Sequence, residues 1–167
     1  RFGGTFLFLV GTALVAAITL IFLRIPNLTK AQLEGEQRSM LEIMKQPVFI
    51  AAAVSATVAQ CVMNFLMTAT PIAMISICGH SFGATAGVIA WHTFAMFAPG
   101  VFTGFLIRRF GAVTIILIGL LLEAACIGVA LSGVKVIDFW LSMFLLGIGW
   151  NFTFTAATSL MTTAYTP

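Results

Sequence analysis

The sequence predicts an all-α integral membrane protein, a helical bundle with five transmembrane helices, and three observations support this fold class. Of its 167 residues, 60% are hydrophobic and only 8% are charged, whereas an average soluble domain has about 25% charged residues. The mean hydropathy is +1.11. Uncharged runs of about 20 residues, the length that crosses a bilayer, recur along the chain. An open sheet is excluded, because lipid cannot satisfy the hydrogen bonds of its edges.

Proline and charged residues divide the chain into five predicted spans, which cover residues 2–23, 47–78, 84–107, 112–131 and 136–164. Arg24-Ile25-Pro26 ends the first span, because proline disfavours a helical conformation in the residue before it. Pro47 suits the first turn of the second span, where its missing N–H is not needed. Pro71 is expected to kink or end that span, and Pro99-Gly100 to bend the third.

The segment between the first two spans is the only one with a soluble composition. Residues 27–46 carry six charged side chains. Apolar residues recur among them, and we expect these to form a short interfacial helix. They are Leu33, Met40, Leu41 and Met44.

The net charge of +3 and the pI of about 9.1 reflect basic loops rather than a nucleic-acid surface. Four basic residues lie in Arg24–Lys45 and two at Arg108-Arg109, whereas the link at 79–83 has none. Cytoplasmic loops of membrane proteins are enriched in this way. Because the aromatic residues lie inside apolar runs, no nucleic-acid partner is expected. The lipid bilayer is the expected surrounding.

No feature of the sequence indicates a catalytic or metal site. The three cysteines, Cys61, Cys78 and Cys126, lack metal-ligand spacing and are expected to behave as small buried hydrophobes. We find no nucleotide-binding loop and no nucleophile beside a base. We therefore expect no cofactor, no metal, no direct use of ATP and no enzymatic activity.

A short motif follows the third span, where residues 104–111 read Gly-Phe-Leu-Ile-Arg-Arg-Phe-Gly. It resembles the cytoplasmic signature of the major facilitator superfamily, Gly-x-Leu-x-Asp-Arg-x-Gly-Arg. The matching positions are Gly104, Leu106, Arg109 and Gly111. Arg108 replaces the usual Asp, and Ala112 stands where a basic residue is frequent. These departures fit the second copy of the signature, between helices eight and nine. A generic basic turn is the alternative.

This resemblance implies that the spans are helices six to ten of twelve. Residues 1–24 would be helix six, residues 25–46 the cytoplasmic linker between two halves, and residues 47–167 helices seven to ten. Other stretches resemble bacterial members grouped with riboflavin-type importers and drug-efflux-like proteins, namely 63–71, 79–82, 91–92, 96–99 and 147–152. The resemblance further implies a multi-pass secondary transporter of the inner (cell) membrane. Its partners would be a small-molecule solute, a coupling proton and the remaining helices of the same protein.

An internal repeat, Asn-Phe-x-x-Thr-Ala, begins at Asn64 and again at Asn151. Equivalent helices of inverted repeats place substrate sites near the midplane. Polar residues recur every fourth position after each asparagine and share a helical face. In the superfamily, helices seven and ten line the cavity, so we expect Asn64 and Asn151 to face one cavity. The candidate substrate contacts are Gln60, Asn64, Thr68, His92, Trp150, Asn151 and Thr155. Hydrogen bonding between packed helices, worth about 0.6 kcal/mol per contact, is the alternative.

Two ionisable residues lie within spans. His92 can bind solute or carry a proton, or it can be a neutral packing residue. Glu123 is a proton-coupling candidate, because an acid inside a membrane is costly unless it has a function or a partner; a structural role is the alternative. Gly-x-x-x-Gly pairs at 83/87 and 100/104 are expected to mediate helix packing. A membrane sensor or scaffold and a membrane enzyme are the rival functions.

The loop charges predict the sidedness of the loops: cytoplasmic for residues 24–46 and 108–111, outward for residues 79–82 and 132–136. Cysteines introduced at Ser81 and Ser132 should react with a membrane-impermeant reagent in intact cells. A cysteine at Gln37 is the control and should react only after the cells are opened. The reverse pattern of labelling would contradict the topology.

Overall fold

The computed structural model describes residues 3–23 and 39–165. Within these residues the chain is helical and contains no strand, which confirms the predicted all-α class. The helices are α1 (Gly3–Phe22), α2 (Met40–Met44), α3 (Pro47–Ile72), α4 (Phe82–Phe97), α5 (Gly100–Phe110), α6 (Ala112–Ser132) and α7 (Val136–Thr162). A π-helical turn, Ala73–Ile77, continues α3. Of the predicted interfacial helix, α2 is described, whereas Leu33 lies outside the described residues.

The chain divides into two compact units, and α1 belongs to the first of them. It is an uncharged helix of 20 residues. Its large apolar side chains are exposed along its length, among them Leu7, Ile21 and Phe22. A surface of this kind is suited to lipid or to other helices and not to water.

The second unit contains α2 to α7 and four of the predicted spans. Three helices are long and apolar enough to cross a membrane: α3 with its π-helical turn, α6 and α7. Counted as one span, α4 and α5 together form a fourth, which is bent by 42° at the break between them. The apolar segment Phe6–Phe22 of α1 is shorter than these helices.

The helices end or bend at the prolines where the sequence predicted it. Pro99 lies between α4 and α5, and its ring and missing N–H account for the bend there. Pro71 lies inside α3, one residue before the helix ends and the π-helical turn follows. Gly111 alone joins α5 to α6 and has φ 84° and ψ 149°, a backbone conformation that favours glycine.

Helix α7 is the centre of this unit and contacts α3, α4, α5 and α6. Two glycines on α7 allow the close contacts. A Cβ at Gly147 would lie 2.7 Å from the carbonyl oxygen of His92 on α4, and one at Gly149 would lie 2.9 Å from that of Gly119 on α6. The contact with α6 is reciprocal, since a Cβ at Gly119 would lie 2.8 Å from the Gly149 oxygen. Glycine at these positions lets the helix backbones approach each other directly.

The glycine pairs that the sequence suggested for packing behave differently. Within the described residues, a Cβ at Gly83, Gly87 or Gly104 would have no atom within 4 Å, and one at Gly100 would meet only the Asn151 amide nitrogen at 3.5 Å. The close contacts therefore use other glycines than the Gly-x-x-x-Gly pairs.

Two buried apolar clusters lie along α7. One contains Met74, Val88, Cys126, Met143 and Leu146, and the other contains Ile115, Ile116, Ala156 and Ala157.

We expect Gly119→Ala to lower the free energy of unfolding of the complete protein by about 1–3 kcal/mol, because the added methyl group meets backbone atoms of α7. Gly128→Ala on the same helix is the matched control, since its methyl group meets nothing within 4 Å. The control should be neutral or gain up to about 1 kcal/mol of helix propensity. Thermal unfolding in detergent measures both. Equal stability of the two variants would disprove the close contact.

Candidate functional site

A group of polar and aromatic side chains connects α3 with α7, and we call Gln60, Asn64, Trp150 and Phe154 the Gln60 cluster. The Trp150 indole Nε1 donates a hydrogen bond to Gln60 Oε1 at 3.1 Å. Gln60 Nε2 donates in turn to Asn64 Oδ1 at 3.2 Å. The Trp150 and Phe154 rings stack at 5.0 Å with an angle of 11° between their planes. Gln60 and Asn64 are four residues apart and lie on one face of α3, and Trp150 and Phe154 are likewise four apart on one face of α7.

The Gln60 cluster opens onto a cavity of about 270 Å³, lined by Ala56, Thr57, Gln60, Cys61 and Phe154. Asn64 and Cys61 are exposed, and Gln60 is half-buried. An amide group offers two N–H donors and a carbonyl acceptor. Asn64 uses its oxygen to accept from Gln60, and its N–H groups have no partner among the described residues. The cluster can therefore donate hydrogen bonds to a solute beside a stacked aromatic surface.

The threonines predicted to extend the polar faces are placed differently from each other. Thr68 is exposed one turn beyond Asn64, and its hydroxyl donates to the Asn64 backbone oxygen at 2.9 Å. Its side chain thus lies on the same stripe as the Gln60 cluster. Thr155 is half-buried on α7, and its hydroxyl makes no hydrogen bond to the cluster.

Asn151 is buried, with 5% of its surface exposed, and it faces the break between α4 and α5. Its Nδ2 donates to the Met96 backbone oxygen at 2.7 Å, and its Oδ1 accepts from the Thr103 hydroxyl at 2.7 Å. The Met96 carbonyl can only accept, which fixes the orientation of the amide. One side chain on α7 therefore binds both arms of the bent span.

The two asparagines of the repeat do not share a cavity in this structure, in contrast to the expectation from the sequence. Asn64 is exposed in the Gln60 cluster, whereas Asn151 is buried between helices. The reason is helical geometry: consecutive residues are about 100° apart around a helix. Trp150 points to α3, so the next residue on α7, Asn151, points to α4 and α5 instead.

His92 is fully buried between α4 and α7. Its Nδ1 lies 2.7 Å from the Met143 backbone oxygen, so Nδ1 carries the hydrogen. The Nε2 atom has no hydrogen-bond partner among the described residues. This position corresponds to the packing role that was one of the two alternatives for His92.

The basic motif forms a one-residue turn on the surface. Arg108 and Arg109 lie in the last turn of α5, where a positive charge favours the helix dipole. Both arginines are exposed, and Gly111 ends the helix. Leu106 is half-buried and packs against the apolar cluster around Ile115, which anchors the end of α5.

A second aromatic group, not anticipated from the sequence, connects α4 and α7. Trp91 lies edge-on to Phe94 at 5.4 Å and to Trp140 at 5.9 Å, and Trp140 stacks on Phe144 at 5.2 Å. The helical spacing of 91 with 94 and of 140 with 144 was a visible signal. Which helix each pair would meet was not visible, because that depends on tertiary packing. Thr103, the partner of Asn151, was missed for the same reason.

Long apolar helices and a bent span with lipid-suited surfaces define the class of multi-pass α-helical membrane proteins. A search of family models and a search of solved structures return no match to the chain. Curated relatives do match. The riboflavin transporter RfnT of Brucella anthropi is 42% identical over 168 residues, which cover 99% of this chain and 42% of the relative.

Two relatives from Bacillus subtilis are named as uncharacterized MFS-type transporters. YddS is 33% identical over 79% of this chain and 30% of its own length, and YdeG is 36% identical over 61% of this chain and 24% of its own. The chain thus spans less than half of the length of these relatives. The resemblance to the major facilitator superfamily is confirmed, and the fold is that of its helical bundle. Since these homologues are transporters, the chain is not an enzyme.

Asn151→Ala should lower the free energy of unfolding of the complete protein by about 2–3 kcal/mol, because it removes two buried hydrogen bonds and leaves the Met96 oxygen unpaired. Asn64→Ala is the matched control and should change it by less than about 0.5 kcal/mol, as expected for an exposed site. Chemical or thermal unfolding in detergent compares the two. An Asn64 variant as unstable as the Asn151 variant would refute the assignment.

Proposed function

We propose that this protein is a secondary active transporter that moves a small organic solute across the inner (cell) membrane by alternating access. The observation that carries the proposal is the Gln60 cluster, a hydrogen-bonded and aromatic surface shared by the helices that correspond to seven and ten. Polar groups inside a membrane are costly and are found where they serve a pathway. The remaining helices of the protein would close the cavity opposite this surface.

The Gln60 cluster is suited to a planar, neutral and amphipathic solute. The stacked Trp150 and Phe154 rings offer an aromatic edge or face, and aromatic pairs contribute about 0.5–1.5 kcal/mol beyond the area they bury. The Asn64 N–H groups can donate to carbonyl oxygens on the solute. Helix α3 carries no charged residue along its length, which disfavours a highly charged solute. RfnT is named a riboflavin transporter, and a flavin-like heterocycle meets these requirements.

The predicted solute contacts take two roles in this proposal. Gln60, Asn64 and Trp150 would touch the solute, and Thr68 would extend the surface by one turn. His92 and Asn151 would position α4 and α5 against α7 without touching the solute, because both side chains are buried and His92 Nδ1 and Asn151 Nδ2 are bonded to backbone oxygens. The contact predicted for Thr155 stays a prediction.

Uptake of labelled riboflavin into liposomes that contain the complete protein tests the proposal. Asn64→Ala should weaken riboflavin affinity about five- to hundredfold, since one lost contact to a buried solute group costs about 1–3 kcal/mol. Thr93→Ala is the matched control, because Thr93 is an exposed polar residue on α4 outside the cluster. The affinity of the Thr93→Ala variant for riboflavin should equal that of the unmodified protein.

Two results would contradict the proposal. Equal affinities of the Asn64→Ala and Thr93→Ala variants for riboflavin would show that the Gln60 cluster does not bind the solute. Binding of riboflavin without any uptake would favour the alternative function, a membrane sensor that retains the transporter fold.

A further inference from the structure

The contact between α6 and α7 contains two buried polar side chains, each with one oxygen atom that has no hydrogen-bond partner in the described part of the chain. Glu123 on α6 is 3% exposed, and its Oε1 has no hydrogen-bond partner among the described residues. Thr153 on α7 is fully buried, and its Oγ1 also lacks one. Gly149 makes room for the acid, because a Cβ there would lie 3.0 Å from Glu123 Cγ. The carboxyl group thus lies inside the helix contact itself.

Among residues 3–23 and 39–165, no cation faces this carboxyl group. Of the helices packed against α6, α3 carries no charged residue, α5 carries Arg108 and Arg109 only in its last turn, and α7 carries only Asp138 in its first turn. Thr153 is the α7 residue of this contact, and Asp138 is about 22 Å from it along the helix axis. Glu123 is roughly 16 Å along the α6 axis from the start of that helix, which Gly111 joins to the end of α5 where the arginines lie. The nearest titratable group on its own helix is the buried thiol of Cys126. An ionised carboxylate here would be a buried charge without a partner.

A cavity of about 130 Å³ lies next to this contact, between α3, α6 and α7. Its lining includes Cys126, which is nearly one turn from Glu123 toward the Ser132 end of α6. Thr70, Ser142 and Met143 line it from the other helices. The rest of its lining is apolar, so the cavity is a gap in the helix packing close to the acid.

We propose that the Glu123 carboxyl group is a proton-binding site inside the contact between α6 and α7. A proton from water forms an O–H bond on a carboxylate oxygen, and the neutral acid then donates a hydrogen bond to Thr153 Oγ1. Release returns the proton to water and leaves a carboxylate, which requires α6 and α7 to separate so that water can solvate it. As a coupling-proton site, this inference rests on the proposed transport function.

Infrared difference spectroscopy of the complete protein in lipid tests proton occupancy without any need for transport. The unmodified protein should show the carbonyl band of a protonated carboxylic acid at neutral pH, and Glu123→Gln should abolish it. Thr153→Val should move the band, because it removes the hydrogen-bond partner and keeps the side-chain shape. Asp138→Asn is the control and should leave the band unchanged. Absence of the band from the unmodified protein, or its persistence in Glu123→Gln, would overturn the proposal.

Transport measurements test the coupling separately. In liposomes, Glu123→Gln should lose riboflavin accumulation driven by a pH gradient, while riboflavin still equilibrates across the membrane. Thr153→Val, which keeps the carboxyl group, should retain accumulation with a shifted pH profile, and this variant also serves if Glu123→Gln does not fold. Accumulation that survives in Glu123→Gln would reject the coupling role. If the unmodified protein moves no riboflavin, the proposed function fails, and the infrared result still decides the proton site.

Discussion

The close approach of α7 to its neighbours is the constraint on which the rest of the structure depends. Lipid provides no hydrophobic force between helices, so contact must come from packing and hydrogen bonds. Gly119 and Gly149 bring α6 and α7 together backbone to backbone, and Gly147 does the same for α4 and α7. At a larger separation Asn151 could not reach the Met96 oxygen, and Glu123 would not be buried.

Three consecutive residues of α7 face three different partners, since each residue is about 100° from the next. Gly149 packs on α6 beside Glu123, Trp150 donates to Gln60 on α3, and Asn151 binds both arms of the bent span. A small rotation of α7 would therefore change three features together: the packing of Gly149 on Glu123, the Gln60 cluster and the bend between α4 and α5. This arrangement gives a physical route by which proton and solute binding can influence each other.

The sequence was a good guide to features that depend on local chemistry. Pro99 bends the third span and Gly111 makes the turn after α5, because both effects arise within a few residues. Helical spacing placed Gln60, Asn64 and Thr68 along one side of α3 but could not show which neighbour a polar residue on α7 would meet. Asn151 was therefore expected beside Asn64 and is instead bound to α4 and α5. Gly119 was missed for the same reason, since its partner Gly149 lies on another helix and the two form no sequence pattern.

If the Gln60 cluster is the surface that binds the solute, Cys61 beside it should report directly on solute occupancy. This exposed cysteine lines the cavity beside Gln60. With Cys78 and Cys126 replaced, a thiol reagent should modify Cys61 in the complete protein, and riboflavin should slow the reaction in proportion to its occupancy. A cysteine placed instead at Thr93 should react at the same rate with and without riboflavin. Unchanged reactivity of Cys61 at saturating riboflavin would contradict the account.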